Sequence, residues 1–407
     1  MSTTITHGGA ARSDRPCWRG VLAIALGGLA LVVIEFLPVG LLPGIIKGFG
    51  VSEGTAGLTV TATAAFGFIA APITALSVGR LDRRIVLLAL SALVVVSGII
   101  STLAPNFAVL LLARVLLGIG VGGFWSISII AASRLVPADK VPKASSLVFS
   151  GISVATVISV PMGAYIADHA GWRIAFGIAS VLAIAVFIFQ LVALPKIETP
   201  SAVTSADFAS LLKSRKIIAV YLAIVFIVAG HFAAYTFVTP YLQQVVRFDA
   251  NEISSVLLLY GALAVVGAFL AGVLASRDLR KTVYANVALF FASLIAMAVS
   301  PAHWSIVLVG LVLWAVCWGM APVGTQLWLF NATQHAPEAA QSMNTCVFQL
   351  SITCGSLIGG LAVDHIDLHA SMWTGAAILL LAVMAVLAVG RIESADMLSA
   401  SQTEKAR

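Results

Sequence analysis

The chain has 407 residues, 60% of them hydrophobic and 10% charged, with a mean hydropathy of +1.06. Soluble domains carry about 25% charged residues, so these figures exclude a water-soluble enzyme or binding domain and predict a membrane protein. The formal net charge of +6 would suit a nucleic-acid binder, but the placement of the basic residues, taken up below, excludes that as well.

Apolar stretches of roughly 20 residues can cross a bilayer core of about 30 Å as helices. In chain order the sequence predicts twelve of them: 20–43, 54–78, 85–104, 107–132, 144–167, 172–194, 217–242, 253–275, 282–300, 303–328, 339–362 and 371–390. The predicted fold is an all-α membrane protein of twelve transmembrane helices. Arginines before the first apolar run resemble the start of a signal peptide, but that run is too long and eleven more follow it, so it is expected to remain as the first span. The longest polar break, "PKIETPSAVTSADFASLLKSRK" at 195–216, divides the chain into a bundle of six spans over 20–194 and another over 217–390, with tails at 1–19 and 391–407. A basic loop with one Asp follows both span two ("VGRLDRR") and span eight ("ASRDLRK"), an echo expected of two pseudo-symmetric halves.

With the N-terminus placed in the cytoplasm, nineteen of the 23 Lys and Arg residues fall in inside segments; the outside segments hold only Lys47, Arg173 and Arg247, and Arg114 lies within a span. This is the positive-inside pattern, and it predicts both termini in the cytoplasm of a multi-pass inner-membrane protein. The basic balance orients the chain and implies no nucleic-acid partner. Cys17, Cys317, Cys346 and Cys354 have neither metal-site nor disulfide spacing. Neither a phosphate-binding loop nor an H-E-x-x-H cluster occurs, so no cofactor, metal or enzymatic activity is expected.

Charges inside a span are functional candidates by default, because their desolvation is costly. Glu35 is the only ionisable side chain between Gly20 and Ile46, eight residues or about 12 Å before the outer end of its span. Arg114 lies about 10 Å into span four from the same side, so adjacent spans would put the two at matching depth. Desolvation opposes the charged form of a carboxylate and a neighbouring Arg favours it. The pair reads either as a proton-coupling couple or as a structural ion pair. Gly118 and Gly122, four apart in "RVLLGIGVGGFWS", read as a helix-packing face.

In span seven, His231 is flanked by Phe232, Tyr235 and Phe237, and span ten puts Trp314 and Trp318 four apart on one face. Tryptophan at mid-membrane depth is unusual. Flat rings with a few hydrogen-bonding groups suit a planar polar ligand. The candidate polar groups are His231, Thr236, Gln326, Asn344 and Gln349, each of which can instead bond a neighbouring helix. With its reference pKa of about 6.5, histidine adds a second titratable candidate. Pro38, Pro43, Pro161, Pro240 and Pro322 lie in or near spans, where each frees a backbone carbonyl and bends its helix.

The twelve spans, "GRLDRR", "RVLLGIGVGG" and "VPMGAYIADHAGWRIAF" together resemble the major facilitator superfamily, and within it the proton-coupled exporters of drugs, sugars and nucleosides. Val78 and Val160 stand where that pattern normally has glycine, and the loop is shortened after Asp82 and Arg83. "EFLPVGLLP", "VSEGTAGLTVTATA", "GGFWSIS", "APVGTQLW" and "QLSITCGSLIGGLAVDHIDL" are similar to the bacterial purine ribonucleoside efflux pumps. That resemblance implies export of inosine, guanosine and their analogues by exchange for protons. The chain is expected to sit in the lipid bilayer as a monomer. Arabinose-type sugar exporters share "EFLPVG" and the "DRR" loop, so a sugar or multidrug antiporter is the alternative. A membrane-embedded enzyme or sensor would need a catalytic constellation or an added domain, and the sequence contains neither. In this reading Glu35 carries the proton and Arg114 tunes it, with His231 in reserve. Phe232, Tyr235, Trp314 and Trp318 stack on the base, and Gln326, Asn344 and Gln349 bond it. Asp82, Arg83 and Arg84 help latch the cytoplasmic face.

Overall fold

The computed structural model describes residues 16–79, 81–197, 204–332 and 337–405. Arg12, Arg15, Arg80 and Arg407, all counted in the inside segments above, lie outside the described residues, as does 198–203 of the linker. The described residues form helices joined by short turns and contain no strand.

The first six long helices are α1 (Trp18–Phe49), α2 (Glu53–Ser77), α3 (Arg83–Leu103), α4 (Phe107–Arg134), α5 (Val141–Ala170) and α6 (Trp172–Ala193). Their ends are set by local chemistry. Gly50, at φ 64°, closes α1 in the left-handed conformation that glycine adopts without strain. Ser52, Asp82 and Asn106 cap α2, α3 and α4 by accepting a first-turn backbone N–H. In the linker a short helix, Ser205–Leu211, precedes α7 (Arg215–Tyr235). The chain then runs through Val238–Pro240 and a wide π turn, Tyr241–Val245. A capping box between Asp249 and Glu252 starts the next helix.

That helix, Ala250–Val299, is 50 residues long, about 75 Å and more than twice what a bilayer core requires. It breaks at Asp278, whose φ −158° and ψ 96° are extended. The two arms, 250–277 (α8) and 279–299 (α9), correspond to spans eight and nine. Last come α10 (Trp304–Ala332), α11 (Pro337–His365) and α12 (Ala370–Lys405). Among the described residues, eleven helices are long and apolar enough to cross a membrane, and the doubled one brings the crossings to the predicted twelve. The expected tail at 391–407 instead continues α12 as far as Lys405.

Packing repeats between the two sets of six. α1 lies against α5 and α6, and α7 against α11 and α12; α2 packs on α4, and the α8–α9 pair on α10. One apolar core comes almost entirely from residues 21–197 and the other chiefly from 211–389. α1 and α7, equivalent in the two sets, are the most deeply buried of the long helices. Val181, Phe269, Val309 and Met384 are exposed on the outer wall, as expected of surface facing hydrocarbon rather than water. The sets meet along α2 with α11 and α5 with α8.

Gly118 and Gly122 act as the sequence suggests. A Cβ on Gly118 would strike the Thr63 carbonyl, and one on Gly122 the Gly67 carbonyl, so α4 sits backbone-to-backbone on α2.

Candidate transport site

Glu35 and Pro38 lie one turn apart on α1. Proline has no N–H to give the carbonyl four residues back, which here is Ile34. Arg114 on α4 supplies the missing donor: its Nη1 donates to the Ile34 carbonyl at 2.9 Å and its Nη2 to Ser101 Oγ on α3 at 2.7 Å. Its guanidinium also lies 5.0 Å from the centre of the Phe176 ring. Arg114 is fully buried at 0% exposure, and its Nε has no hydrogen-bond partner.

The two intramembrane charges are therefore neighbours but not an ion pair. Arg114 is bound to the backbone just ahead of Glu35. The Glu35 carboxylate, 6% exposed, accepts from Gln349 Nε2 on α11 at 3.3 Å. Gln349 is held against α2 as well, since a Cβ on Gly67 would collide with its amide nitrogen. A carboxylate of the first half thus rests on an amide of the second.

The next residue continues the crossing. Phe36 stacks on Phe232 of α7 with ring centres 5.6 Å apart. Phe232 meets Trp318 edge-on at 5.6 Å, and Trp318 lies flat on His231 at 3.6 Å with 2° between the planes. On its other side His231 stacks against Tyr235 at 4.7 Å, and Tyr235 against Tyr260 at 5.3 Å. Trp314 Nε1 donates to His231 Nδ1 at 3.0 Å. Because the indole nitrogen only donates, the imidazole proton of that pairing sits on Nε2. Nε2 is buried and has no partner, as is the hydroxyl of Tyr260.

The structure thus brings Phe232, Tyr235, Trp314, Trp318 and His231 into one column, with Glu35 and Gln349 beside its Phe36 end. Gln326 and Asn344 have a contact of their own. Those two amides bond each other at 3.1 Å between α10 and α11, and Gln326 lies eight residues, about 12 Å, along α10 from Trp318. The Thr236 hydroxyl is occupied by the Phe232 carbonyl at 2.7 Å.

The Asp82 loop is tied to its surroundings by several hydrogen bonds. Asp82 Oδ1 caps α3 by accepting from Arg84 N and accepts in addition from Ile197 N, both at 2.9 Å. Arg83 N donates to the Ile197 carbonyl at 3.0 Å, and Arg84 Nη2 to the Leu191 carbonyl at 2.9 Å. These contacts tie the start of α3 to the end of α6 and the first linker residues. These contacts of the Asp82 and Arg84 side chains and the Arg83 backbone are local ones.

The Major Facilitator Superfamily model matches residues 24–347 and 250–406. The chain belongs to the major facilitator superfamily. It is 31% identical over 378 residues to the purine ribonucleoside efflux pump NepI of Salmonella paratyphi B, covering 93% of this chain and 95% of the relative. The same figures hold for NepI of Salmonella typhimurium. Among solved structures, a bacterial homolog to the human lysosomal transporter Spinster, inward-facing and unoccupied, gives a TM-score of 0.75 at 16% identity, over 92% of this chain and 96% of that one. A D-xylose-proton symporter gives 0.73 at 16% identity, over 91% and 97%. At such identities these two establish the fold alone.

As a major facilitator superfamily member the chain is a multi-pass membrane transporter, and the column meets the first set of six helices at the Phe36–Phe232 stack. Sequence reasoning missed Phe36, Tyr260 and Ser101. Phe36 and Tyr260 look like ordinary lipid-soluble residues within their runs. The one available signal was the adjacency of Phe36 to the lone carboxylate.

Proposed function

We propose that this chain exports purine ribonucleosides such as inosine and guanosine, and their analogues, in exchange for protons. In this reading it works as a monomer in a bacterial inner membrane with both termini in the cytoplasm, and the halves 20–194 and 217–390 rock about the linker 195–216. The observation that carries the reading is the junction at Glu35: a single intramembrane carboxylate, tied across the halves by Gln349 and flanked by an aromatic column reached through Phe36. A purine has flat faces for Trp318 and Phe232, and hydrogen-bonding edges for buried groups that now lack partners, such as His231 Nε2. The 31% identity to proteins named as purine ribonucleoside efflux pumps supports the same substrate class.

Glu35 binds and releases the proton, and Arg114 acts on it through the α1 backbone. The buried, Trp314-bonded His231 serves as a recognition group rather than a second carrier. Counterflow in proteoliposomes tests the substrate class. Radiolabelled inosine should exchange against unlabelled inosine and guanosine, with little exchange against arabinose or a cationic dye. Exchange with arabinose or the dye, but not with guanosine, would replace the nucleoside reading by that of a sugar or multidrug antiporter.

A further inference from the structure

At the face where α1 ends and α2 begins, the two halves are joined by a carboxylate on a helix end. Asp364, at the last turn of α11, accepts from Ser52 Oγ and from Gly54 N, both at 2.8 Å. The first backbone N–H groups of a helix have no partner within it and carry the positive end of its dipole. A carboxylate there makes charge-assisted bonds, about twice as strong as neutral ones. The junction is close-packed: a Cβ on Gly54 would collide with the Gly360 carbonyl and stand 2.5 Å from Asp364 Cγ. Gln244 Nε2 donates to Glu53 Oε1 at 3.2 Å beside it. Deeper in, Gly57 packs on the Phe237 ring, and the hydroxyls of Thr61 and Ser356 meet at 2.8 Å.

At the opposite face the corresponding α2–α11 closure is neutral among the described residues. Ser342 Oγ donates to the Ala71 carbonyl at 3.2 Å and lies 3.5 Å from Ser126 Oγ. Among the described residues, the two ends of this helix pair are thus closed by bonds of different strength.

We propose that Asp364 is a gate latch: its carboxylate, seated on the N-terminus of α2, holds this face shut and biases the empty carrier to open first at the other. Leaving the latch requires Gly54 and Gly360 to part, so α2 and α11 separate as whole helices. The inference needs only that the two halves move against each other. It is independent of which solute is carried and of whether protons are exchanged.

Hydrogen exchange followed by mass spectrometry tests it on the full-length protein in nanodiscs, with wild type, Asp364→Ala and Gly54→Ala. The second variant wedges the junction apart while keeping the charge. Peptides over 53–62 and 353–366 should exchange about tenfold faster or more in both variants, while those over 68–77 and 339–347 stay unchanged or slow down. Faster exchange confined to the first turn, 53–55, would make Asp364 a mere helix cap and overturn the latch. Unchanged exchange, or equal loosening at both faces, would overturn it too. Transport assays play no part in the readout, so failure of the nucleoside or proton reading leaves this result standing.

Discussion

Arg114 makes its two hydrogen bonds to a backbone carbonyl and a serine, although a carboxylate lies next along the chain. The reason is Pro38: it frees the Ile34 carbonyl inside a buried helix, and a buried polar group without a partner costs about 1–3 kcal/mol. Arg114→Ala should therefore lower stability by about that amount. In a Pro38→Ala background the helix supplies its own N–H to Ile34, so the same change should cost about 1 kcal/mol less. A double-mutant cycle on unfolding in detergent micelles reads the difference, and strictly additive losses would contradict the assignment. At this scale the sequence was informative about which residues are unusual, because an ionisable group or a tryptophan inside an apolar run stands out on composition alone. It was less informative about their partners. Matched depth put Glu35 and Arg114 together, but depth does not say which side of a helix a group leaves from. The carboxylate turned to Gln349, a residue 314 positions away. Gln326 and Asn344 look like Gln349 in sequence, yet Asn344 donates to the Gln326 side-chain carbonyl oxygen and the Gln326 amide nitrogen faces Gln341.

Among the helices, close approach is governed by what the smallest residues permit. Gly122 lets α4 rest on the Gly67 carbonyl of α2, and Gly67 in turn lies against Gln349 of α11. Adding a methyl at Gly122 forces that three-helix contact apart. Gly122→Ala should thus destabilise by about 1–3 kcal/mol, as overpacking of a tight core does. Gly272→Ala, at a helical position with no atom in reach of the new Cβ, should be neutral or slightly stabilising. Thermal unfolding of the two variants in parallel checks this; equal effects would show that the α2–α4 contact is looser than it looks. Hydropathy exposed nearly all of the helices, because an apolar run of bilayer length has few other uses. It did not locate their ends. Asp278 interrupts a 50-residue helix at a single position, and α12 continues through the polar stretch after Gly390, since solubility in lipid and helicity are different properties. The "DRR" loop shows the same limit: its charges were plain, but its attachment to Ile197 and Leu191 was not.

For the whole molecule, the ties between halves run in sequence from one face to the other: Asp364 on α2, Thr61 with Ser356, Phe36 on Phe232, Gln349 on Glu35, and Ser342 on Ala71. The central ties involve the carboxylate and the aromatic column, so any movement that parts the halves also changes the surroundings of both. In the proposed function this shared location is where one solute and one proton would act on the same conformational equilibrium, and such coupling is reciprocal. The most direct measurement is proton movement in proteoliposomes on addition of inosine, for wild type and Glu35→Gln. The account predicts inosine-dependent proton flux in wild type and none in the variant, which should still bind and exchange inosine. Uphill inosine export driven by a pH gradient through Glu35→Gln would contradict it.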